Sequence, residues 1–307
     1  MIKRVFKKLI GLIIVLLVLS FFVFALLYIA PGDPAEKRLS SQGVAITKEV
    51  LDAERERLGL LEPFLVRYGE WLGRVIRGDF GVSFKDDMPV APKLAQGLKN
   101  TVVLAMTSLL LSLIFSFPLA IISAIKKDGI VDNIVKIFSF VGNSLPNFLI
   151  SVLLMYFLCI KLNLFPVIAS GNFQGLVMPV LSLSIPMTGR FIRQIRSEFL
   201  NEMKEDYFIG MRGRGVSLAY VVLNMIHNCL GHVFTIVALQ IGTLMGGSIV
   251  IETIFRWPGI GKLVMDSITA RDYPVIMGFV IIMGTIYVVI NQLADILCHY
   301  LDPRTEI

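Results

Sequence analysis

Residues 196–228 read RSEFLNEMKEDYFIGMRGRGVSLAYVVLNMIHN, a charged, glycine-punctuated stretch set between long apolar runs. It is too polar to lie in lipid and too patterned to be a mere tether. Glu205 and Asp206 come first, Tyr207, Phe208 and Met211 supply apolar positions at i, i+1 and i+4, and Arg212, Gly213, Arg214 and Gly215 follow. Acids at the start and arginines at the end of a helix suit its dipole, and glycine just past the last turn is the usual stop. The pattern predicts a short amphipathic helix that serves as a cytoplasmic docking element.

The surrounding chain explains why such an element stands out. Of 307 residues, 55% are hydrophobic and only 17% charged, and the mean hydropathy is +0.76. Soluble domains carry roughly 25% charged residues, so the composition is that of an all-α polytopic membrane protein. A net charge of +6 would suggest nucleic acid in a soluble chain. Here lysine and arginine are sorted by membrane side, and no basic patch with interleaved aromatics lies outside the membrane-flanking loops, so no nucleic-acid partner is expected. Cys159, Cys229 and Cys298 form no CxxC pair, and His227, His232 and His299 form no HxxxH or HExxH. The cysteines read as small buried hydrophobes, and no metal site is expected.

Lys3, Arg4, Lys7 and Lys8 precede an apolar run to Ala30, long enough to cross a bilayer. Residues 1–30 are therefore expected to be a first transmembrane helix with a basic cytoplasmic end. A cleaved signal peptide has a shorter apolar core and a small-x-small cleavage site, which Tyr28-Ile29-Ala30-Pro31 does not provide. Residues 31–100 carry eleven acidic and eleven basic side chains and are expected to form a solvated helical loop. One helix is capped by Thr47 and ends at Gly59; another runs Phe64–Ile76.

Residues 101–297 hold five further spans, near 101–125, 130–160, 176–192, 233–254 and 275–297, and residues 298–307 form a tail. Pro179 and Pro186 imply a bent fourth span, and Arg190, Arg193 and Arg196 mark its exit. Gly242 and Gly246 make a GxxxG in the fifth, a spacing that permits close helix approach. Between the last two spans, Trp257-Pro258-Gly259 reads as a turn before a short helix at 260–268. Asn143, Ser144, Pro146 and Asn147 interrupt the third span. Polar groups there either line a wet path or bond between helices.

Fourteen lysines and arginines flank one side of these spans and four the other, leaving aside the long 31–100 loop. The positive-inside rule places both termini and residues 196–228 in the cytoplasm of a multi-pass cell-membrane protein. GMRGRGVS lacks the GxxxxGK[ST] spacing that cradles a triphosphate, and there is no GxSxG or HExxH. No catalytic residue is expected; what remains is a pathway former with a docking element.

Residues 205–228 resemble the EAA-type cytoplasmic loop of the permease subunits of binding-protein-dependent ABC importers, in the dipeptide, oligopeptide and nickel family. Further motifs at family spacing are PGDPA (31–35), ERLGLLEPFLVRYGEWL (56–72), GDFGVSF (78–84), SLPNF (144–148), ETIFRWPGIG (252–261), RDYPVIMG (271–278) and LDPR (301–304). The resemblance implies six transmembrane helices, a long extracytoplasmic loop after the first, and a cytoplasmic coupling helix between the fourth and fifth. Glu205, Asp206, Tyr207, Phe208, Met211, Arg212, Gly213, Arg214 and Gly215 would form that helix and its exit, seated in a groove of an ATPase subunit. It implies a second homologous permease, two ATP-binding subunits and an extracytoplasmic substrate-binding protein as partners. ATP and magnesium would bind on the ATPases, with no cofactor on this chain.

Two departures stand out: Gly213 replaces the usual alanine, which should loosen the turn, and His232 stands where the family commonly has the proline that kinks the fifth span. The short 164–175 loop resembles the nickel-type permeases, tilting the expected cargo toward nickel or a metal chelate over di- or oligopeptides. By residue type, Asn143, Ser144, Asn147, Thr188 and Gln240 are the groups expected to line the path. An ATPase-independent carrier or channel is the alternative of another class; it predicts intramembrane charges or an inverted repeat, and only Asp295 lies near the end of a span.

Overall fold

The computed structural model describes residues 2–169 and 171–301, with the side chains of 2–9, 247 and 294–301 left aside. Asp302, Pro303 and Arg304 of the LDPR motif therefore lie outside the described residues, as do the side chains of Asp295, Cys298 and His299. Among the described residues the chain is helical throughout, without strands. The helices are α1 (Ile2–Ile29), α2 (Pro34–Ser41), α3 (Lys48–Arg57), α4 (Phe64–Ile76), α5 (Val90–Ile125), α6 (Ile130–Ser144) and α7 (Asn147–Leu154). After a π-helical segment, Met155–Lys161, come α8 (Phe173–Glu202), α9 (Asp206–Gly213), α10 (Leu218–Phe255), α11 (Ile260–Ala270) and α12 (Tyr273–Leu301). Five helices are long and apolar enough to cross a membrane, and a bent pair makes a sixth crossing if it spans as one.

The chain divides into two compact units, Met1–Asn100 with Pro258–Val288 and Thr101–Trp257 with Val289–Ile307. In the first, α1 is apolar all round, and only 6% of its most apolar window is buried. Its last turns meet α4 through aromatic rings set edge-on, with Phe21–Tyr68 centroids 5.3 Å apart and Tyr28–Phe64 also 5.3 Å apart. Asp33 caps α2 by accepting from the Ala35 N–H at 2.8 Å, and Thr47 caps α3 by accepting from Val50 at 3.4 Å.

The separated motifs of this unit converge. Asp272 of RDYP is buried and accepts from the Ser83 hydroxyl and from the Phe84 N–H at 2.9 Å, both in GDFGVSF. Arg271, at φ +57°, lays its guanidinium against Gly32 of PGDPA, where an added Cβ would stand 2.3 Å from Nη2. Gly32 itself has φ +101°. It therefore serves both a backbone conformation and a close approach.

In the second unit α8 is the enclosed helix, with 78% of its apolar window buried. Small residues let its neighbours come close. A Cβ on Gly189 would lie 2.9 Å from the Ser139 carbonyl of α6, and the Ser139 hydroxyl donates to the Gly189 carbonyl. From α5, the Ser112 hydroxyl reaches the Ser184 carbonyl at 3.2 Å.

Several boundaries differ from the sequence reading. The third span is not one helix: α6 and α7 meet at 103°. Leu145, preceding Pro146, is extended at φ −84° and ψ 132°, the conformation a following proline imposes. The fourth span is a continuous helix through Pro179 and Pro186 that runs on to Glu202. Arg190 accordingly sits inside α8 rather than at its exit. The fifth begins at Leu218, and His232 lies within unbroken α10. At about 1.5 Å per residue α10 is ~57 Å long, against a hydrocarbon core of about 30 Å; its ends project. A Cβ on Gly246 meets nothing within 4 Å, so the GxxxG makes no close approach there.

Candidate functional site

The segment linking α8 to α10 is a short helix held from inside. Glu205 is extended (φ −70°, ψ 147°) and α9 starts at Asp206. At the other end the Gly215 N–H donates to the Arg212 carbonyl and the Val216 N–H to the Met211 carbonyl, each at 3.1 Å. That is the paired closure of a Schellman motif, and it requires Gly215 in the left-handed region, where it has φ +74°.

Phe208, Met211 and Val216 pack on a cluster of buried side chains that includes Phe199, Val221 and Met225, with Ala120 and Ala124 of α5 in the same cluster. The Tyr207 hydroxyl donates to the Glu202 carboxylate, and Asn228 donates to the same oxygen at 3.5 Å. Burial, then the hydrogen bond to Glu202, pushes the Tyr207 hydroxyl up to about 12. It stays protonated, and so remains a donor, throughout the neutral range.

The nine residues expected to couple to an ATPase thus divide by direction. Tyr207, Phe208 and Met211 are half-buried and turn inward, while Glu205, Asp206, Arg212, Gly213, Arg214 and Gly215 are exposed. Ile209, 59% exposed, lies on the outer face and was not among the expected residues. The signal was available: Glu205, Ile209 and Arg212 fall at i, i+4 and i+7, one helix face.

A second polar knot fixes the end of α8 that carries α9. Asp132 of α6 is fully buried. It accepts from Arg196 Nε and Nη2, both at 2.8 Å, from the Asp128 N–H at 2.8 Å and from the Ser123 hydroxyl. Lys136 Nζ stands 2.7 Å from its second oxygen. Five donors, two on Oδ1 and three on Oδ2, thus converge on this carboxylate, and Asp132 ties the end of α5, the start of α6 and the last third of α8 at one point.

The residues assigned to a path are placed as follows. Asn143 and Ser144 are exposed at the end of α6, and Asn147 is half-buried across the bend from them. Thr188 is buried and its hydroxyl donates back to the Ser184 carbonyl at 2.7 Å. Gln240 is half-buried on α10. On α8, Arg190 Nε and Gln194 Oε1 are buried without a hydrogen-bond partner among the described residues. They lie one turn apart, and the sequence reading did not single them out for this role.

The structure thus shows a multi-pass helical chain with a two-faced short helix, α9, seated between the long helices α8 and α10. The comparisons with known proteins agree. The chain belongs to the family of binding-protein-dependent transport system inner membrane components, which matches residues 116–307, while the N-terminal membrane component of the same systems matches residues 1–105. It is 32% identical to the metal-staphylopine import system permease protein CntB of Staphylococcus aureus (strain NCTC 8325 / PS 47), over 99% of this chain and 98% of that one. It is 34% identical to the glutathione transport system permease protein GsiC of Salmonella choleraesuis (strain SC-B67), over 99% and 98%. To the nickel import system permease protein NikB of Staphylococcus aureus (strain MRSA252) it is also 34% identical, over 100% and 92%.

Among solved structures, inward-facing MetNI methionine ABC transporter (CY5 native crystal form) superposes with a TM-score of 0.56 at 15% identity, covering 68% of this chain and 96% of that one. That likeness is one of fold. The chain is a permease subunit of an ABC importer in the peptide and nickel branch, which displaces the ATPase-independent carrier or channel.

Proposed function

We propose that this subunit forms half of a translocation pathway, that α9 is its coupling helix, and that the cargo is nickel or a metal chelate handed over by an extracytoplasmic binding protein. A second homologous permease supplies the other half, and two ATP-binding subunits hold the ATP and magnesium. The chain performs no chemistry of its own. Residues 1–30 cross the membrane from a cytoplasmic end, 31–100 are extracytoplasmic, 101–297 form the permease core, and 298–307 return to the cytoplasm.

The observation that carries the coupling reading is the two-faced seating of α9. Its inner side chains are packed or hydrogen-bonded to α8 and α10, while Glu205, Ile209 and Arg212 project outward. A helix so fixed transmits displacement as a rigid body, the form of motion alternating access needs. Among the nine residues, Glu205, Asp206 and Arg212 would touch the ATPase, joined by Ile209; Tyr207, Phe208 and Met211 would hold the helix. Asn143, Ser144 and Asn147 at the bend, with Gln240 and the unpartnered Arg190 and Gln194, are the groups available to a polar path; the Thr188 hydroxyl is already engaged.

The metal reading is supported by the short 164–175 loop and by the relatives named for nickel and metal-staphylopine. A peptide cargo is the second reading, favoured by the relative named for glutathione at equal identity. The assembled transporter in vesicles, supplied with its binding protein, separates them: uptake of nickel with a chelator is expected, and uptake of glutathione without metal would reverse the choice. Ile209→Asp or Arg212→Glu should abolish uptake while the partners still hydrolyse ATP. Undiminished uptake in both variants refutes α9 as the coupling element.

A further inference from the structure

In the first unit a cavity of ≈ 210 Å³ opens beside the last turns of α1, lined among others by Tyr28, Arg67, Trp71, Arg74 and Tyr273. Arg67, Trp71 and Arg74 recur at i, i+4 and i+7 of α4, so one face of that helix supplies two guanidiniums and an indole to the same space. Two further charged groups on its wall are already paired: Asp87 holds Arg57 at 3.2 Å and is also bonded to Arg38. Glu70 is the remaining carboxylate of the lining, and it is exposed.

The donors are unspent. Among the described residues neither Arg67 nor Arg74 has an ion-pair or side-chain hydrogen-bond partner. Arg67 is half-buried and rests against the Phe24 and Tyr28 rings, each centroid 5.9 Å from its guanidinium carbon. Burial pushes this guanidinium below its ordinary value. Trp71 is 7% exposed, and its indole N–H is buried without an acceptor. Two unpaired cations on one wall of a cavity favour an anion with several acceptor oxygens.

Its position says what carries that anion. Phe24, Leu27 and Tyr28 lie in the last turns of the apolar window of α1, Ile10–Ile29, so the cavity sits where that span leaves the hydrocarbon. Tyr28, Tyr68 and Trp71 gather there, as aromatic residues do at the headgroup level.

We propose that this cavity binds the phosphate of an anionic phospholipid from the leaflet at the C-terminal end of α1. Arg67 and Arg74 neutralise the phosphate, and Trp71, Tyr28 and Phe24 wall the glycerol end. Occupancy would fasten α4, and the polar helices joined to it, to the membrane surface.

The test is native mass spectrometry of the full-length chain titrated with short-chain phosphatidylglycerol, phosphatidylcholine or inorganic phosphate. Saturable binding of phosphatidylglycerol is expected, with phosphatidylcholine weaker. Arg67→Gln and Arg74→Gln should each weaken it roughly tenfold, one lost charge-assisted contact apiece. Arg77→Gln, outside the lining, should change nothing. Glu70→Gln should tighten binding several-fold by removing the competing carboxylate, an outcome that loss of folding cannot mimic. Inorganic phosphate binding as tightly as phosphatidylglycerol would assign the site to a soluble anion and overturn the lipid. Binding indifferent to Arg67, Arg74 and Glu70 would overturn the site itself.

Discussion

Replacing Asp132 by asparagine should injure the protein far more than replacing its main partner, Arg196, by glutamine. Asp132 is fully buried and faces Arg196 twice at 2.8 Å and Lys136 at 2.7 Å. Asparagine fills the space but removes the charge, leaving a mostly buried guanidinium, 16% exposed, and an ammonium facing each other. Breaking a buried pair in this direction costs about 3–5 kcal/mol. The asparagine oxygen still accepts, which places the figure near ~3 kcal/mol by the same reckoning. Arg196→Gln leaves the carboxylate with Lys136, the Ser123 hydroxyl and the Asp128 N–H. That loss is about 1.5 kcal/mol, the low end for hydrogen bonds to a charged group, because the other donors remain.

At roughly 2–4 °C per kcal/mol for chains of this order of size, the thermal midpoint of the purified permease should fall by ~6–12 °C for Asp132→Asn. For Arg196→Gln the fall should be ~3–6 °C. The double variant should be more stable than Asp132→Asn alone, because the orphaned guanidinium is gone. Equal shifts for the two single variants, or strict additivity in the double, would refute the charge reasoning and reduce the knot to ordinary packing.

Three further outcomes follow from the geometry. Gly32→Ala should destabilise the first unit, since the residue has φ +101° and its Cβ would stand 2.3 Å from Arg271 Nη2; adding Arg271→Ala should restore the steric part but not the backbone part, roughly 1–2 kcal/mol, read by thermal unfolding. Gly213→Ala should slow hydrogen exchange in α9 by about 0.5–1 kcal/mol, because its Cβ meets nothing within 4 Å, while Gly215→Ala at φ +74° should speed it by a similar amount. In acid, the Arg38 hydrogen bond foremost and then Arg57 hold Asp87 below the usual carboxylate range. Its contribution is therefore complete above about pH 4, the unfolded value, and is lost as pH falls through the folded one. Limited proteolysis of the 83–88 loop should rise below that pH and stay flat from 5 to 8, and Asp87→Asn should remove the dependence.

What could be read from residues alone was the punctuation. Thr47 as a cap, Phe64–Ile76 as a helix and Gly215 as a stop are each set by local chemistry that a few residues complete. The bend at Pro146 could not be read in this way. Pro118, Pro179 and Pro186 all sit inside continuous helices, so proline alone does not decide; what differs is whether neighbouring helices accommodate the disrupted turn. The start of α10 was hidden by Asn224, His227 and Asn228, which read as loop. Asn224 donates to the Tyr220 carbonyl of its own helix at 2.9 Å and Asn228 to Glu202, so their polarity is met without leaving the helix. In α9 the stripe of Tyr207, Phe208 and Met211 announced a helix, but which face turned inward depended on Glu202 and Phe199 upstream.

The contacts of α8 bear on how far a push on α9 could travel. Near its end, Phe199 and Glu202 seat α9. Arg196 ties it to Asp132 of α6 and, through Ser123, to α5. Higher up, Gly189 and Ser139 bring the α8 and α6 backbones into contact, and Ser112 of α5 reaches the Ser184 carbonyl. Each junction is a close backbone approach, a hydroxyl on a carbonyl or a charge with several donors, and none slides without breaking hydrogen bonds. Helices α5, α6 and α8 are therefore fastened as one block at three heights, and α9 is fastened to the block. The bend between α6 and α7 lies beyond the last of these junctions, so displacement delivered at α9 would reach Asn143 and Ser144 with the block and be absorbed at Leu145, before Asn147, where the backbone is extended and the helical ladder is interrupted.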